Sequence, residues 1–368
     1  MNNEKIKVVE VIGSLGHRGG AEVFLSSLCS QFIKNPNIDL TIITLHGEVD
    51  KSFEFLKKMP NSNFLTVNKK RGIDLLAAGR FKKIIKKINP NIIHIHTSCF
   101  ATYFLAFGFS KHYWRIVETI HTFPGYSLSK IEIKLKNLFM KKNKLTMISI
   151  SESLAKMANI VYPYDKGLFI YNGFCPSSRQ IVTDKIYDFI IVASMTEVKN
   201  HKLLFDALKL ALISNPKLNL VCLGDGVLMK ENMEYVKKIN IKNNIIFLGQ
   251  IDNPYEYLNQ SKIIILSSKR EGNPISLLEG MSFGLPVIAP NIGGIPDIVT
   301  DGENGLLFEV DNKEQLSSNM LKLIDDKELY FLISNNNKKK AQEYTIDACA
   351  NKYFLFFNEV ALSKNKKA

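Results

Sequence analysis

The sequence predicts an α/β protein of two doubly wound, Rossmann-like domains that face each other across a cleft. Its 368 residues, 46% of them hydrophobic, are more than one core usually holds, so two domains are expected. Short apolar runs alternate with longer stretches of helical periodicity, which is typical of a parallel sheet. Loop-forming residues interrupt this alternation at 172–178, near the middle of the chain. Because ligands of open α/β sheets bind at the carboxyl ends of the strands, two such sheets are expected to enclose one interdomain ligand cleft.

The individual elements follow from the same pattern. Strands are predicted in the first half at 6–12, 40–45, 64–67, 91–96, 115–120, 145–150 and 168–171, with helical stretches such as 21–33 and 75–87 between most of them. Strands are predicted in the second half at 189–192, 218–223, 245–248, 263–266, 287–289 and 306–308. We therefore expect an N-terminal domain at 1–175, a C-terminal domain at 176–345 and a last amphipathic helix within 346–368 that crosses back to the N-terminal domain.

Composition limits the class of protein. No apolar run reaches the ~18 residues of a membrane-spanning helix, and the first residues lack a signal-peptide pattern, so a cytoplasmic protein is expected. The five cysteines include no Cys-x-x-Cys pair, which argues against both a disulfide framework and a zinc site.

Charge is unevenly distributed, since the excess behind the net charge of +13 lies in residues 1–180. The basic runs lack interleaved aromatic residues and any nucleic-acid-binding motif, so nucleic acid is not the expected partner, and an anionic membrane surface fits better. Segment 127–143 repeats five apolar residues at helical spacing among lysines: Leu128, Ile131, Leu135, Leu138 and Phe139. This pattern predicts a basic amphipathic helix, which either lies peripherally on the inner face of the cell membrane or packs on its own domain.

Two glutamates eight residues apart, Glu271 and Glu279, bracket a predicted helix start. Asn273 is expected to cap this helix and Pro274 to occupy its first turn. At ~1.5 Å per residue, Glu279 lies roughly 7 to 8 Å along the axis, and the free N–H groups between the two acids attract an anion. A sugar, a diphosphate and a ribose in a row would satisfy this arrangement. A second interpretation stays open, in which Glu279 is a solvated helix residue and Glu271 a helix-start acid.

Two glycine-rich turns are further candidates for ligand contact. Gly293 and Gly294 follow a short predicted strand, and such a turn allows the backbone to approach a ligand closely. The loop at 13–20 ends the first strand and opens a helix, where backbone N–H groups can meet a phosphate. Its spacing matches neither Gly-x-Gly-x-x-Gly nor a P-loop, which disfavours a dehydrogenase or a kinase. A plain connecting turn explains the same glycines.

Three histidines end strands in the first half. His94 and His96 point to one face of their strand and are chemically suited to ligate a metal, but no third ligand is evident, and packing at the strand end is the simpler interpretation. His121 follows the next strand, where it is either a cleft residue or a structural one.

Seven short motifs lie in a specific order along the chain: Gly19-Gly20-Ala21-Glu22, Ile93-His94-Ile95-His96, Thr119-Ile120-His121, Tyr171-Asn172-Gly173-Phe174, Lys199-Asn200-His201, Gly224-Asp225-Gly226 and the segment from Glu271 to Glu279. Each motif is weak alone, but the ordered set is specific. With these motifs, the chain resembles over nearly its whole length the retaining family 4 glycosyltransferases with the GT-B fold, of the bacterial surface polysaccharide or glycolipid type.

The resemblance implies roles for individual residues. His121 and Glu271 would be the catalytic residues, with Glu271 on the donor sugar and His121 on that sugar or the departing oxygen. Glu279 would bind the nucleotide ribose, and Lys199 would pair with the diphosphate. The other donor-binding residues would be Gly19, Gly20, Gly272, Asn273, Pro274 and Ile275.

One position departs from the family pattern, because Ser194 stands where the family usually has an arginine. A diphosphate clamp loses its fork-shaped donor there. Lys199 remains, and Lys269, Arg270 or the basic first loop through Arg18 could supply the missing charge. Ser194 itself is a further candidate for a phosphate contact.

The implied reaction moves a sugar from a nucleotide-diphosphate donor, UDP-sugar foremost, to a glycan or lipid-linked glycan acceptor with retained anomeric configuration. No metal or other cofactor is expected, since the sequence has no Asp-x-Asp triplet, and Lys199 with a helix N-terminus can neutralise the leaving diphosphate. Two other classes stay open. One is a sugar-nucleotide epimerase of the same architecture, and the other is a non-catalytic partner subunit, for which Ser194 is the only hint.

Overall fold

The computed structural model describes residues 5–362 apart from 18, 98, 108–114, 122–128 and 177–183. The described residues fall into two compact units. The first comprises the chain up to Gly173 together with the last helix, which starts at Ile346, and the second comprises Phe174–Thr345. Each unit is built on a six-stranded sheet in which every pairing is parallel, so the predicted α/β class with two doubly wound sheets is confirmed.

The described part of the first unit contains six strands and six α-helices: β1 (Ile6–Ile12), α1 (Gly20–Phe32), β2 (Ile38–Thr44), β3 (Ser62–Thr66), α2 (Leu75–Ile88), β4 (Ile92–His96), α3 (Phe100–Phe107), β5 (Ile116–Ile120), α4 (Lys130–Lys141), β6 (Leu145–Ser149), α5 (Glu152–Val161) and, from the end of the chain, α13 (Ile346–Leu362). The strand order is β3-β2-β1-β4-β5-β6. None of the helices that the structure describes in either unit is long and apolar enough to cross a membrane.

In the second unit, the residues that the structure describes form six strands and seven α-helices: β7 (Tyr187–Val192), α6 (His201–Ser214), β8 (Leu220–Leu223), α7 (Met229–Lys238), β9 (Ile245–Gly249), α8 (Tyr255–Asn259), β10 (Ser261–Ile265), α9 (Ile275–Ser282), β11 (Val287–Pro290), α10 (Ile295–Ile298), β12 (Gly305–Phe308), α11 (Lys313–Asp325) and α12 (Lys327–Ala341). Its strand order is β12-β11-β10-β7-β8-β9.

The two faces of the first sheet differ in character. Alternate strand residues such as Val9 and Ile95 pack with α2, α3 and α4 in one apolar cluster. The residues between them on β1 and β4, which include Glu10, point to the opposite face, where α1 packs against α13. Aromatic rings from both helices, such as Phe24 and Tyr353, cover that face. A charged residue is thus buried on the face that the last helix covers.

The predicted strands are present with ends shifted by one or two residues, except for 168–171. There Phe169 forms only an isolated bridge with Ser149 at the edge of the first sheet. Among the described residues, two backbone hydrogen bonds join it to the sheet, from the Ser149 N–H to the Leu168 carbonyl and from the Ile170 N–H to the Ser149 carbonyl, and these are too few for a strand.

Candidate functional site

The loops after β7 and β10 are joined at the carboxyl edge of the second sheet. The two strands are parallel neighbours, so their loops emerge side by side. The N–H of Lys269 donates to the carbonyl of Val198 at 2.8 Å, and the hydroxyl of Ser267 donates to the carbonyl of Lys199 at 3.0 Å. These bonds fix the backbone of Lys199 beside the loop that leads to Glu271.

Glu271 is a buried carboxylate held by two donors. Its Oε1 accepts hydrogen bonds from Lys199 Nζ and from Ser268 Oγ, each at 2.6 Å. Its backbone carbonyl accepts from the N–H of Gly294 at 3.3 Å, so the paired-glycine turn after β11 also reaches this loop. Within the described part of the chain, Oε2 of Glu271 accepts no hydrogen bond. Oε1 therefore fixes the carboxylate in place through its two hydrogen bonds, and Oε2 can accept a hydrogen bond from a further donor.

The helix that carries Glu279 begins later than the sequence predicts. α9 starts at Ile275, with Pro274 as the preceding N-cap residue in an extended conformation (φ −74°, ψ 107°) and with no side-chain cap. The prediction that Asn273 caps this helix and Pro274 lies in its first turn is therefore wrong, because the extended ψ of Pro274 keeps both residues outside the helix. Asn273 is buried and Gly272 is half-buried in the loop. The first turn of α9 thus presents backbone N–H groups that no side chain caps, as an anion site requires.

Glu279 lies in the second turn of α9 and is half-buried. The hydroxyl of Tyr255 lies 3.3 Å from Glu279 Oε1 and 3.0 Å from the carbonyl oxygen of Cys175. The Tyr255 ring also packs on Phe283, with ring centroids 5.9 Å apart. Sequence reasoning missed Tyr255, whose only signal is an aromatic residue at the start of α8, the helix that precedes β10.

The Ser194 loop is shaped by two glycines after β8. A Cβ on Gly224 would lie 2.1 Å from the carbonyl oxygen of Ala193, and a Cβ on Gly226 would lie 2.5 Å from that of Met195. These glycines therefore let the loops after β7 and β8 pack backbone to backbone. Ser194 itself is exposed at this edge of the sheet.

The predicted arginines are placed differently. Arg270 is half-buried in the loop between Lys269 and Glu271. Arg18 lies outside the described residues.

The predicted phosphate loop of the first unit lies beside an acid, Glu22 in the first turn of α1. Gly19 is the N-cap residue of α1, and Gly20 is its first residue. A Cβ on Gly19 would lie 2.4 Å from Oε2 of the buried Glu22, whereas a Cβ on Gly20 would meet no neighbour. Because the Glu22 carboxylate repels a phosphate next to Gly19, Gly20 is the better placed of the two glycines.

A buried hydrogen-bonded chain runs from β1 to α13 in the first unit. Glu10 Oε1 lies 3.0 Å from His94 Nδ1, and His94 Nε2 lies 2.7 Å from Thr119 Oγ1. Thr119 Oγ1 in turn lies 2.9 Å from the hydroxyl of Tyr353 on α13. All four residues are buried.

A second branch of the chain leads from the same carboxylate to His121. Glu10 Oε2 lies 2.7 Å from His96 Nε2, and His96 Nδ1 lies 3.1 Å from His121 Nε2. Burial alone would raise the pKa of Glu10, but the charge and hydrogen bond of His94, with the hydrogen bond of His96, outweigh burial and lower that pKa to about 2. Burial and the neighbouring His94 lower the pKa of His96 to about 4, against the opposing effect of Glu10.

The sequence offered no third side chain of a metal-binding type beside His94 and His96, and the structure places the Glu10 carboxylate there. Its sequence signal is a charged residue in the middle of the apolar strand β1. The ligating atoms nevertheless contact one another directly at 2.7–3.0 Å, and each imidazole uses both of its nitrogens in such bonds. These distances are those of hydrogen bonds between the side chains. A bound metal ion would instead lie between its ligands, about 2 Å from each of them.

The comparisons with known proteins agree with this architecture. The family described as Glycosyltransferase Family 4 matches residues 18–177, and the family described as Glycosyl transferases group 1 matches residues 178–340. An uncharacterized glycosyltransferase of Methanocaldococcus jannaschii is 30% identical over 188 residues, which are 50% of this chain and 51% of that protein.

Two further proteins add detail. The UDP-Gal:alpha-D-GlcNAc-diphosphoundecaprenol alpha-1,3-galactosyltransferase of Escherichia coli is 27% identical over 58% of this chain and 54% of its own length. Both of these relatives are thus matched over about half of their length. The structure of Anabaena HepE in complex with UDP is 18% identical, with a TM-score of 0.77, and covers 96% of this chain and all of that one. This likeness shows the fold.

The chain belongs to the family 4 glycosyltransferases with the GT-B fold. The predicted family, fold class and enzyme class are therefore confirmed.

The Lys199–Glu271 pair generates a stability prediction. Lys199→Ala removes the counter-charge of the Glu271 carboxylate, whose side chain is only 8% exposed. We expect the free energy of unfolding to fall by about 1–3 kcal/mol. Lys202→Ala removes the exposed pair with Glu231 instead, and should cost at most about 1 kcal/mol. Urea titrations of both variants give the comparison. Equal losses would show that Glu271 does not depend on Lys199.

Proposed function

We propose that this protein is a retaining glycosyltransferase that moves a sugar from a UDP-sugar to a glycan or lipid-linked glycan acceptor in bacterial surface polysaccharide synthesis. The observation that carries the proposal is the pair Glu271 and Glu279 around the uncapped first turn of α9. Carboxylates suit sugar and ribose hydroxyls, and the amide groups between them suit a diphosphate. HepE, which shares the fold, has been crystallised with UDP, and this supports the choice of base.

Lys199 is the residue we propose for the charge of the leaving diphosphate. Its ammonium group has three N–H donors, and among the described residues only Glu271 takes one. Together with the α9 amide groups, it would stabilise the negative charge that develops as the sugar departs. No metal cofactor is needed in this scheme.

Glu271 suits hydroxyl binding better than proton transfer. A carboxylate that accepts hydrogen bonds from an ammonium group and a hydroxyl group through one oxygen is held in one orientation. It can then accept a hydrogen bond from a sugar hydroxyl through the other oxygen. In the first unit, the resemblance to the family supports a contact of His121 with the sugar and of Gly19 and Gly20 with phosphate, and Gly20 is favoured of the two because the Glu22 carboxylate lies beside Gly19.

We further propose that the protein is cytoplasmic and binds peripherally to an anionic membrane surface, where a lipid-linked acceptor is held. The name of the Escherichia coli relative specifies a diphosphoundecaprenol-linked acceptor, which supports this choice for the present chain. The basic charge of residues 1–180 is complementary to anionic lipid headgroups.

Segment 69–76 is the surface that best fits such a membrane. It begins with Lys69, Lys70 and Arg71 and continues into three exposed apolar side chains at the start of α2, which are Ile73 (80%), Leu75 (68%) and Leu76 (77%). Basic and apolar side chains together are what an anionic bilayer interface binds.

The helix that the sequence singled out, α4, has only part of its apolar stripe exposed. Ile131 and Leu138 are exposed, whereas Phe139 and Met140 pack inward. Lys136 is buried as well, because its Nζ pairs with Glu118 at 2.6 Å. Leu128 lies outside the described residues. α4 therefore packs on its own domain and offers a narrower apolar surface than segment 69–76.

Thermal unfolding with UDP, GDP and ADP tests the donor site. UDP at ~100 times its dissociation constant should add about 2.7 kcal/mol of stability to the wild type. Glu279→Ala should lose this shift, because the ribose hydroxyls lose their acceptor. Glu314→Ala, which removes an exposed acid from the first turn of α11, should keep it. A shift with none of the nucleotides would favour the non-catalytic alternative, and a shift with GDP or ADP alone would overturn the choice of UDP.

Cosedimentation with anionic vesicles tests segment 69–76. The double variant Ile73→Ser with Leu76→Ser should bind at least ~10-fold more weakly, since each buried CH₂ contributes ~0.8 kcal/mol. Ile213→Ser is the control, because Ile213 is equally exposed but lies on α6. Absence of wild-type binding at low salt, or equal binding by both variants, would contradict the proposed surface.

A further inference from the structure

Six side chains form one hydrogen-bonded chain through the first unit, and Glu10 lies at its centre. One branch ends at Tyr353 on α13, and the other ends at His121 after β5. In order, the members are Tyr353, Thr119, His94, Glu10, His96 and His121. The donor and acceptor character of each group limits where the protons of the chain can be.

The carboxylate sets the direction of the branch to His121. An ionised carboxylate only accepts, so His96 must carry a proton on Nε2, which lies 2.7 Å from Glu10 Oε2. With its pKa at about 4, His96 is neutral at neutral pH, and its Nδ1 is then a lone pair. His121 Nε2, 3.1 Å from that lone pair, must be the donor. His121 Nδ1 is left as an acceptor.

His121 is the end of the chain that is open to a ligand. It is only partly buried, and its Nδ1 has no hydrogen-bond partner among the described residues. Burial, with the neighbouring His96 and His94, holds the pKa of His121 well below its ordinary value, so the ring stays neutral. A neutral imidazole with a free lone pair accepts a hydrogen bond or a proton from a hydroxyl group.

We propose that Glu10 is a positioning residue that acts through His96 to fix the proton of His121 on Nε2, so that Nδ1 presents an acceptor to a sugar hydroxyl. The proposal concerns the site described above and rests on the proposed function for the identity of the ligand. The arrangement of the protons, by contrast, is a property of the protein alone.

A purely structural role explains the burial of Glu10 poorly. Glu10, His94 and His96 are each 0% exposed, and burying charged or polar groups costs free energy that apolar side chains of similar size would not. The charge does give the imidazoles a defined direction, because every donor in the branch to His121 points toward the carboxylate. A defined tautomer of the partly buried His121 is useful where a ligand binds.

Glu10→Gln keeps the size of the side chain but changes which atoms donate and which accept along the hydrogen-bonded chain. The amide has one acceptor oxygen and one donor nitrogen, and both carboxylate oxygens that these atoms replace lie within 3.0 Å of an imidazole nitrogen that donates in the wild type. The amide nitrogen therefore faces another donor, and this repulsion is relieved when one of the two imidazoles becomes an acceptor. Reversal through His94 would turn Thr119 toward Tyr353 and strand the buried Tyr353 hydroxyl proton, which no other described residue accepts. Reversal through His96 ends at the partly exposed His121, where the displaced proton can meet solvent. The variant should therefore carry its His121 proton on Nδ1.

Long-range ¹H–¹⁵N NMR of histidine-labelled protein, without substrate, measures these tautomers. In the wild type we expect the proton on Nε2 of both His96 and His121, and in Glu10→Gln on Nδ1 of both. Tyr353→Phe is the control, because Thr119 can still donate to His94, and the His121 tautomer should stay as in the wild type. A wild-type His121 with its proton on Nδ1, or one unchanged in Glu10→Gln, would overturn the proposal. Should Glu10→Gln fail to fold, the wild-type tautomers alone decide it.

Kinetics test the use of the acceptor nitrogen. Glu10→Gln should lower kcat for UDP-sugar turnover on the order of 100-fold, since a donor replaces the acceptor, and should leave the thermal shift with UDP intact. A reversed tautomer with unchanged kcat would show that Nδ1 serves no ligand and would overturn the proposed role. Absence of turnover in the wild type would count against the proposed function alone, because the NMR result does not depend on turnover.

Discussion

Parallel strand pairing is the constraint on which the rest of this structure depends. When every strand of a sheet runs the same way, every loop that leaves a carboxyl end emerges at one edge. In the second unit, this brings Lys199, which follows β7, to Glu271, which follows β10, although 72 residues separate them in the chain. In the first unit it brings His96 and His121 together at the ends of β4 and β5. The residues proposed to act on the substrate therefore lie at the carboxyl edges of the two sheets.

Both sites handle the same physical problem, a carboxylate taken out of water, in different ways. Glu271 accepts hydrogen bonds from an ammonium group and a hydroxyl group through one oxygen. Its second oxygen accepts none from the residues that the structure describes and can bind a ligand. Glu10 uses both oxygens on imidazoles and binds nothing itself. The first arrangement makes a binding group, whereas the second sets the proton positions of a neighbour. Burial makes both effects strong, because the charge is weakly screened there.

The sequence predicted most strands and the positions of Glu271 and Glu279 on either side of a helix start well, since apolar periodicity and residue spacing are local properties. It placed the start of α9 one residue early and assigned the cap to Asn273, because capping depends on the backbone angles of Pro274, which a sequence does not show. It also predicted a strand at 168–171 from local apolar character, although pairing at a sheet edge depends on the neighbouring strand. Glu10 and Tyr255 were missed for a related reason. Each matters through a partner that is distant in sequence or that only the folded backbone brings near, and no local pattern reports such contacts.

The anomeric configuration of the product formed from UDP-sugars, followed by ¹H NMR in real time, distinguishes a retaining transferase from the alternatives. We expect release of UDP together with a transferred or hydrolysed sugar whose first-formed anomer is that of the donor. A first-formed sugar of the opposite anomer would contradict the retaining mechanism. Conversion of the donor to an epimer without an acceptor would identify the epimerase instead.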